Sequence, residues 1–153
     1  MTLPEGRPVE WTSEVLDGPE FRLSRYRGKA VFVNVFATWC GSCRVEQPDV
    51  VAFAAAHADD TVVIGMDAGE HDDVVRAYRK TFGIRYPIAM DRSDRVVRSV
   101  YRDGRLAYPA TTVFRPDGTL SCAWVGDRPR AWFERERDAA LGLPDPGEPG
   151  VTS

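Results

Sequence analysis

The chain has 153 residues, the length of one ordinary domain, and its 43% hydrophobic and 28% charged residues are typical of a folded protein rather than a disordered one. A net charge of -3 gives no basic field of the kind that binds nucleic acid, so we expect no nucleic-acid partner. No apolar run is long enough to span a bilayer, and three cysteines, an odd number, do not fit a disulfide scaffold.

Both ends of the chain differ in composition from the middle. Proline and glycine recur at the start and in LPDPGEPGVTS at the finish, so we predict an extension over residues 1–12, a domain over 13–141 and a tail over 142–153. Residues 1–11 lack the basic start and apolar core of a signal peptide. Two alternatives follow: the protein acts where it is made, or an export segment has been removed from the chain.

Strand and helix patterns alternate through the first half of the domain. Asp17-Gly18, between short apolar segments, predicts a hairpin turn. The run AVFVNVF at 30–36 predicts a strand buried on both faces. Apolar residues at helical spacing then predict a helix over 42–57, and TVVIGM at 61–66 predicts a second buried strand.

The second half continues the alternation. Helical spacing of Val74, Val75, Tyr78 and Phe82 predicts another helix, with Asp72-Asp73 suited to its positive N-terminus. The remaining predicted elements are a strand over 86–90, a short helix over 96–101, strands over 111–115 and 120–125 joined by a Pro-Asp-Gly turn, and a helix over 130–141 with Trp132 and Phe133 inward. This order predicts an α/β fold, a mixed sheet with helices on both faces.

The stretch FATWCGSCRVEQP at 36–48 contains two cysteines, Cys40 and Cys43, three positions apart. A structural zinc site needs four ligands, usually from two such pairs, and the chain has only one pair. A structural disulfide over so short a loop constrains the unfolded chain little. We therefore interpret the pair as redox-active.

The neighbouring elements give the redox interpretation a mechanism. A strand before the pair and a helix after it place Cys40 at a helix N-terminus, where free N–H groups and the helix dipole favour the thiolate. Cys43, one turn further, can attack a mixed disulfide formed by Cys40. Gly41 and Ser42 allow the tight turn between the two thiols.

Three segments together resemble a known family. Residues 21–48, 82–91 and 108–120 resemble the TlpA/ResA/DsbE-like thiol-disulfide oxidoreductases of the thioredoxin superfamily, a redoxin or AhpC-TSA-like domain, over about residues 13–141. The resemblance implies a thioredoxin fold, a central mixed sheet flanked by helices, with an N-terminal β-hairpin and a βα insertion. It also implies a bacterial protein-disulfide reductase of the cell envelope, with the cytoplasm as the alternative, and cytochrome c maturation as one role of the family.

The resemblance also implies what the protein works with. The redox group is the Cys40–Cys43 pair itself, without a cofactor or metal. The partners are a protein disulfide substrate and an upstream thiol donor, and we expect a monomer. Two alternatives stay open at this point: a thiol peroxidase on the same fold, and a thioredoxin-like binding module whose cysteine pair is vestigial.

Site residues follow from the resemblance position by position. Cys40 resembles the nucleophilic thiol and Cys43 the resolving thiol, and Pro109 takes the place of the family's cis-proline, preceded here by the unusually bulky Tyr108. Glu46 resembles the family's helix glutamate and would exchange a proton with Cys43; the alternative is a solvated first-turn glutamate. The predicted substrate-binding residues are Trp39, Gly41, Ser42, Tyr108 and Pro109.

Four further residues complete the sequence-based expectations. Trp39 is expected on the docking surface beside the disulfide, with a core tryptophan as the alternative. Asn34 stands where cytosolic thioredoxins carry a buried aspartate, which favours Glu46 as the proton carrier. Pro48 is expected to kink the helix, and Cys122 to be a buried small apolar residue.

Overall fold

The computed structural model describes residues 6–92 and 108–144, and these contain one seven-stranded sheet and three α-helices. The strands are β1 Thr12–Val15, β2 Gly18–Arg22, β3 Ala30–Phe36, β4 Thr61–Asp67, β5 Ile88–Met90, β6 Ala110–Phe114 and β7 Leu120–Val125. The helices are α1 Gly41–Ala56, α2 Asp72–Phe82 and α3 Arg130–Ala140, and a short 3-10 helix spans Leu23–Tyr26.

The strand order is β2-β1-β5-β4-β3-β6-β7, so β3 lies inside the sheet. It pairs in parallel with β4 and antiparallel with β6, and all seven of its residues are buried. Its β-branched and aromatic run needs this environment, because such side chains pack well on both faces of a pleated strand. The sequence-based prediction for this strand is confirmed.

Alternate residues of β3 face two different cores. Val31, Val33 and Val35 pack with Phe21 and other residues of the N-terminal segment, on the face that also holds Ile64 of β4. Phe32 and Phe36 point the other way, and there the described helices pack: Phe32 contacts Phe53 of α1 and Phe133 of α3, and Phe36 stacks on Tyr78 of α2. The helix predicted over 96–101 lies outside the described residues, so helices on the first face stay a prediction.

Local sequence signals explain where α2 begins and ends. His71 caps its N-terminus by accepting the Asp73 N–H on the ring nitrogen, and Asp72 and Asp73 occupy the first turn. Gly83 follows the last turn with φ of 64°, the left-handed conformation that glycine adopts without steric cost. Helix α2 and strand β5 lie between β4 and β6 in the chain, and the helix of the expected βα insertion lies outside the described residues.

Two boundary predictions need correction. The hairpin turn is Leu16-Asp17 rather than Asp17-Gly18, because Gly18 already pairs with Val15. Asp17 adopts the left-handed conformation that the turn requires, with φ of 54°. Strand β5 begins at Ile88 rather than at Tyr86, since Pro87 has no N–H to donate to a ladder. Within the described residues, none of the helices has the length and apolar character needed to cross a membrane.

Candidate active site

Cys40 lies at the junction that the sequence predicts, between the end of β3 and the first residue of α1. It is the N-cap of α1, and its Sγ accepts a hydrogen bond from the Cys43 N–H at 3.2 Å. On its other side Sγ lies 3.4 Å from the Tyr108 carbonyl oxygen, to which the thiol donates. The Cys40 sulfur therefore accepts one of the N–H groups that have no partner within the helix. Such N–H groups at a helix start favour a thiolate.

Cys43 lies one turn inside α1 and is only 2% exposed. Burial, followed by the hydrogen bond with Cys40, raises the pKa of the Cys43 thiol far above its ordinary value, and the nearby Glu46 carboxylate raises it further. Both thiols are free. The two cysteines thus differ in their surroundings: Cys40 caps the helix start and meets its backbone N–H, whereas Cys43 is buried and holds its proton.

The peptide bond between Tyr108 and Pro109 is cis, as the family resemblance implies. The Pro109 carbonyl accepts the Gly126 N–H at 2.7 Å, which fixes this corner to the end of β7. Tyr108 also meets Trp39 edge to face, with ring centroids 5.7 Å apart. Trp39 is 71% exposed, so the alternative of a core tryptophan is wrong.

Glu46 is 2% exposed, so the alternative of a solvated first-turn glutamate is also wrong. Its Oε1 accepts from the Asn34 side-chain amide at 3.0 Å and its Oε2 from the Arg128 backbone N–H at 2.8 Å. Asn34 also donates to the Thr111 hydroxyl. Burial raises the pKa of Glu46 to about 7, although the Arg128 and Asn34 hydrogen bonds oppose this shift.

The other predicted residues occupy simpler positions. Gly41 and Ser42 are exposed at the start of α1, and Pro48 is exposed within the helix. Cys122 lies on β7, half-buried, where its thiol donates to Glu136 at 3.2 Å. Burial first, and then Glu136, raise its pKa to about 12. Across residues 6–92 and 108–144, no three His, Cys, Asp or Glu side chains gather into a group that could hold a metal ion.

Sequence reasoning missed a second set of polar residues beside the site. Glu70, in the loop between β4 and α2, accepts both the N–H and the hydroxyl of Thr38, at 2.7 and 2.6 Å. Asp67, the fully buried last residue of β4, accepts the Glu70 N–H at 2.8 Å. A buried aspartate at the carboxyl end of a strand is a signal visible in the sequence, but its partners lie in another segment. Arg128 left no signal, because its backbone rather than its side chain reaches Glu46.

A sheet of this strand order, carrying a cysteine pair at a helix start opposite a cis-proline, places the protein among the thioredoxin-fold oxidoreductases. The chain belongs to the AhpC/TSA family, whose model matches residues 7–123. It is 32% identical over 125 residues to the thiol-disulfide oxidoreductase ResA of Geobacillus kaustophilus (strain HTA426), which covers 81% of this chain and 70% of that protein.

Solved structures agree with this assignment. The chain is similar to a thiol:disulfide interchange protein of the thioredoxin family from Chlorobium tepidum TLS, with a TM-score of 0.78, 34% identity, and coverage of 91% of this chain and 100% of the other. A DsbF homologue from Corynebacterium diphtheriae has a TM-score of 0.78 at 22% identity, over 86% of this chain and 85% of the other. The second similarity shows the shared fold alone.

Proposed function

We propose that the protein is a thiol-disulfide oxidoreductase that reduces disulfides in partner proteins through Cys40 and Cys43. The observation that carries this proposal is the position of the Cys40 sulfur, which accepts the Cys43 N–H and contacts the Tyr108 carbonyl beside Pro109. Similarity to ResA and to the thiol:disulfide interchange protein supports it.

The reaction proceeds in two exchange steps. The Cys40 thiolate attacks one sulfur of the partner disulfide, a Cys40–partner disulfide forms, and the other partner sulfur leaves as a thiolate that takes up a proton. Cys43 then loses its proton and attacks the Cys40 sulfur, which releases the second partner thiol. Two electrons and two protons have passed to the partner, and the protein holds a Cys40–Cys43 disulfide. Because the two thiols carry both electrons, the reaction needs no cofactor.

Glu46 is suited to move the proton of Cys43. It lies three residues after Cys43 on α1, and its charge acts on that thiol. With a pKa of about 7, Glu46 is present in both protonation states near neutral pH. Its carboxylate can accept the proton when Cys43 attacks, and its neutral form can return a proton when an upstream thiol donor reopens the disulfide.

The surroundings of Cys40 support reduction rather than disulfide formation. Strong oxidants of this kind stabilise their reduced form, chiefly by stabilising the thiolate of the nucleophile. Here Arg44, the first basic residue after Cys40, donates to the Thr38 carbonyl at 2.8 Å and lies over the rings of Tyr78 and Phe82. Among the described hydrogen bonds and ring contacts its guanidinium makes none to the Cys40 sulfur, and the buried Cys43 holds its proton.

A trapping experiment tests the activity. In the Cys43→Ser variant, Cys40 should form a mixed disulfide with partner proteins that cannot be resolved, and Cys40→Ser should form none. Cys122→Ser is the matched control, because the Cys122 thiol donates to Glu136 of α3 and not to either active-site cysteine, and it should behave like the wild type in turnover. Equal adduct formation by the Cys40→Ser and Cys43→Ser variants would contradict the assignment of Cys40.

Measurement of the redox potential of the Cys40–Cys43 couple tests the direction of electron transfer. We expect the Cys40–Cys43 couple to equilibrate nearer to thioredoxin, at about -270 mV, than to a strong oxidant such as DsbA, at about -120 mV. A couple near the second value would reverse the proposed direction. Peroxide turnover by the purified protein at a rate exceeding protein-disulfide reduction would instead favour the peroxidase alternative.

A further inference from the structure

The loop that leads into the active site is held by a side chain outside the Cys-Gly-Ser-Cys segment. Glu70 accepts the Thr38 N–H on Oε1 and the Thr38 hydroxyl on Oε2, at 2.7 and 2.6 Å. The Thr38 carbonyl in turn accepts a hydrogen bond from Arg44 Nε at 2.8 Å. Thr38 is buried and stands two residues before Cys40, so these three bonds fix the backbone from which Trp39 and Cys40 emerge.

Glu70 is itself held by a second carboxyl group. Asp67 accepts the Glu70 N–H on Oδ1, while its Oδ2 is buried and meets no N–H or O–H donor within the described residues. Asp67 is fully buried, and the negative charge of the nearby Glu70 carboxylate helps to raise its pKa. Such a pair is favourable only when one of the two carries a proton, because two buried carboxylates repel.

The surroundings decide which group carries that proton. Burial first, and then the contact with Glu70, raise the pKa of Asp67 to about 8. Burial alone would also raise the pKa of Glu70, but its hydrogen bonds with Asp67 and Thr38 lower it overall. These shifts place the proton on Asp67 and the negative charge on Glu70 near neutral pH. A charged acceptor makes the stronger hydrogen bonds to Thr38.

We propose that Glu70 is a positioning residue for Cys40, which holds Thr38 through a carboxylate whose neighbour Asp67 carries a shared proton. The inference depends on the proposed function only for the identity of Cys40 as the attacking thiol. Ionisation of Asp67 would place two negative charges in contact, separate the carboxyl groups and release Thr38. The loop before Cys40 therefore loosens at high pH, and the N–H of Cys43 no longer meets the sulfur in a fixed geometry.

This arrangement is separate from the one that serves Cys43. Asp67 ends β4, on one side of β3, whereas Glu46 is held by Asn34 of β3 itself and by Arg128 beyond β7. The other ionisable groups of the adjoining segments come from three places in the chain. They are Arg44 on α1, His71, Asp72 and Asp73 at the start of α2, and Asp91 and Arg92 after β5, where the Asp91 N–H donates to the Asp67 carbonyl.

Four substitutions, at three positions, separate the parts of this arrangement. Asp67→Asn imitates the protonated aspartate at every pH, because its amide oxygen can accept the Glu70 N–H and its NH2 group can donate to the carboxylate. Thr38→Val keeps the N–H and removes the hydroxyl. Glu70→Ala removes both bonds to Thr38, and Glu70→Gln removes the charge while an acceptor for the Thr38 N–H remains. Cys43→Ser and Cys122→Ser in the background leave Cys40 as the single thiol.

The measurements are amide hydrogen-exchange protection at residues 38–40 and the pH profile of Cys40 alkylation by iodoacetamide. Neither requires a partner protein, so failure of the proposed function would not affect them. Loss of a charge-assisted hydrogen bond should lower the protection about tenfold in Glu70→Ala and in Thr38→Val. Removal of the Glu70 charge alone would speed Cys40 alkylation at neutral pH. A loosened loop slows it, and we expect slower alkylation in Glu70→Ala but not in Glu70→Gln.

Asp67→Asn provides the pH test. In the parent protein the protection at residues 38–40 should fall as the pH passes about 8, the pKa of Asp67, and in the Asp67→Asn variant it should not fall. Three results would overturn the proposal. They are unchanged protection in both Glu70→Ala and Thr38→Val, faster Cys40 alkylation at neutral pH in Glu70→Ala, and a fall of protection with pH in Asp67→Asn equal to that of the parent.

Discussion

Glu46 Oε2 accepts a hydrogen bond from the backbone N–H of Arg128 at 2.8 Å, although the two residues are 82 positions apart. This bond closes the loop between β7 and α3 over the carboxyl group and leaves Glu46 2% exposed. A carboxylate that loses water in this way binds its proton more tightly, and the pKa of about 7 follows from that loss. The fold of the C-terminal third thus sets the proton affinity of a group on the first helix.

Glu46→Gln should slow the resolving step rather than the first attack. General-base assistance contributes roughly a hundredfold or more to proton transfer, so we expect at least about a tenfold slower attack by Cys43 near neutral pH. With 5,5′-dithiobis(2-nitrobenzoic acid), release of the first thionitrobenzoate reports Cys40 and release of the second reports Cys43. In the wild type the second phase should accelerate as the pH passes about 7, where Glu46 becomes the base.

Asp49→Asn is the matched control for this experiment, because it removes a carboxylate from the same helix outside the described hydrogen bonds of the site. It should leave both phases at the wild-type rate. A second phase of unchanged rate and pH profile in Glu46→Gln would show that Cys43 does not use this carboxylate.

Asn34→Leu should move the inflection of that second phase to higher pH. The Asn34 amide donates to Glu46 at 3.0 Å and so favours the ionised form. Without this bond the ionised form is less stable, and the pKa of Glu46 should rise by about one unit. Thr111→Val removes the other partner of the same amide and should leave the inflection near its wild-type position. An inflection at lower pH in Asn34→Leu would contradict this account.

Much of the fold was predictable from the sequence because the strands inside the sheet are long apolar runs. Of these strands β3 matches its predicted bounds, β4 extends its prediction by the single residue Asp67, and β6 begins and ends one residue earlier than predicted; the edge strand β7 also matches. An aspartate is not expected in a buried strand, and only the contact with Glu70 explains its presence there. The predicted length of β5 was too great, because Tyr86 and Pro87 precede the strand and do not pair in the sheet.

The cysteine pair was predictable for a similar reason: its mechanism depends on a local order of strand, turn and helix. The state of Glu46 was not, because helical spacing places it near Cys43 but does not reveal what covers it. The Glu46 carboxylate is bound by Asn34 and Arg128, which lie 12 and 82 positions away in the sequence. The bond between Thr38 and Glu70 spans 32 positions and left no periodic pattern in the sequence. Long-range hydrogen bonds of this kind depend on the folded backbone.

Trp39→Ala should weaken partner binding and leave the fold intact. The side chain is 71% exposed and meets Tyr108 at its edge, so its removal should change the free energy of unfolding by less than about 0.5 kcal/mol. An exposed aromatic residue beside a reactive thiol contributes to docking, and its loss should raise KM for a protein disulfide about tenfold. Reaction with a small disulfide should change little.

Leu143→Ala provides the comparison for Trp39→Ala, because Leu143 is also exposed, at 48%, but lies beyond α3. It should alter neither KM nor stability. If the two variants raised KM equally, Trp39 would have no particular role in docking.

Phe133→Ala should destabilise the protein strongly. Phe133 is fully buried, and its ring centroid lies 5.9 Å from that of Phe32 and 5.6 Å from that of Phe53. Truncation of such a ring leaves a cavity and costs about 3–5 kcal/mol of unfolding free energy, which urea denaturation of the reduced protein would measure. Phe133→Leu, which refills part of the space, should cost less, and a larger loss in the leucine variant would contradict this packing account.

Asp67→Asn should make the protein more stable at high pH. An acid whose pKa is higher in the folded chain than in the unfolded chain binds its proton more tightly when folded. Its ionisation therefore removes stability as the pH rises. For Asp67 the window runs from 3.8, the ordinary value, to about 8, and above the upper limit the full cost applies. The asparagine stays neutral throughout and avoids this cost.

We expect the two proteins to unfold alike at about pH 4, and the variant to be more stable by roughly 3 kcal/mol at about pH 9. Each pKa unit corresponds to about 1.4 kcal/mol, and the full shift is discounted because Glu70 shares the titration. Urea unfolding of the reduced proteins across this range would measure the difference. Asp73→Asn, which removes an exposed carboxylate of α2, should show no such growth with pH. Stability curves that run parallel for the wild type and Asp67→Asn would mean that Asp67 is ionised in the folded protein throughout, and the shared proton with Glu70 would then be wrong.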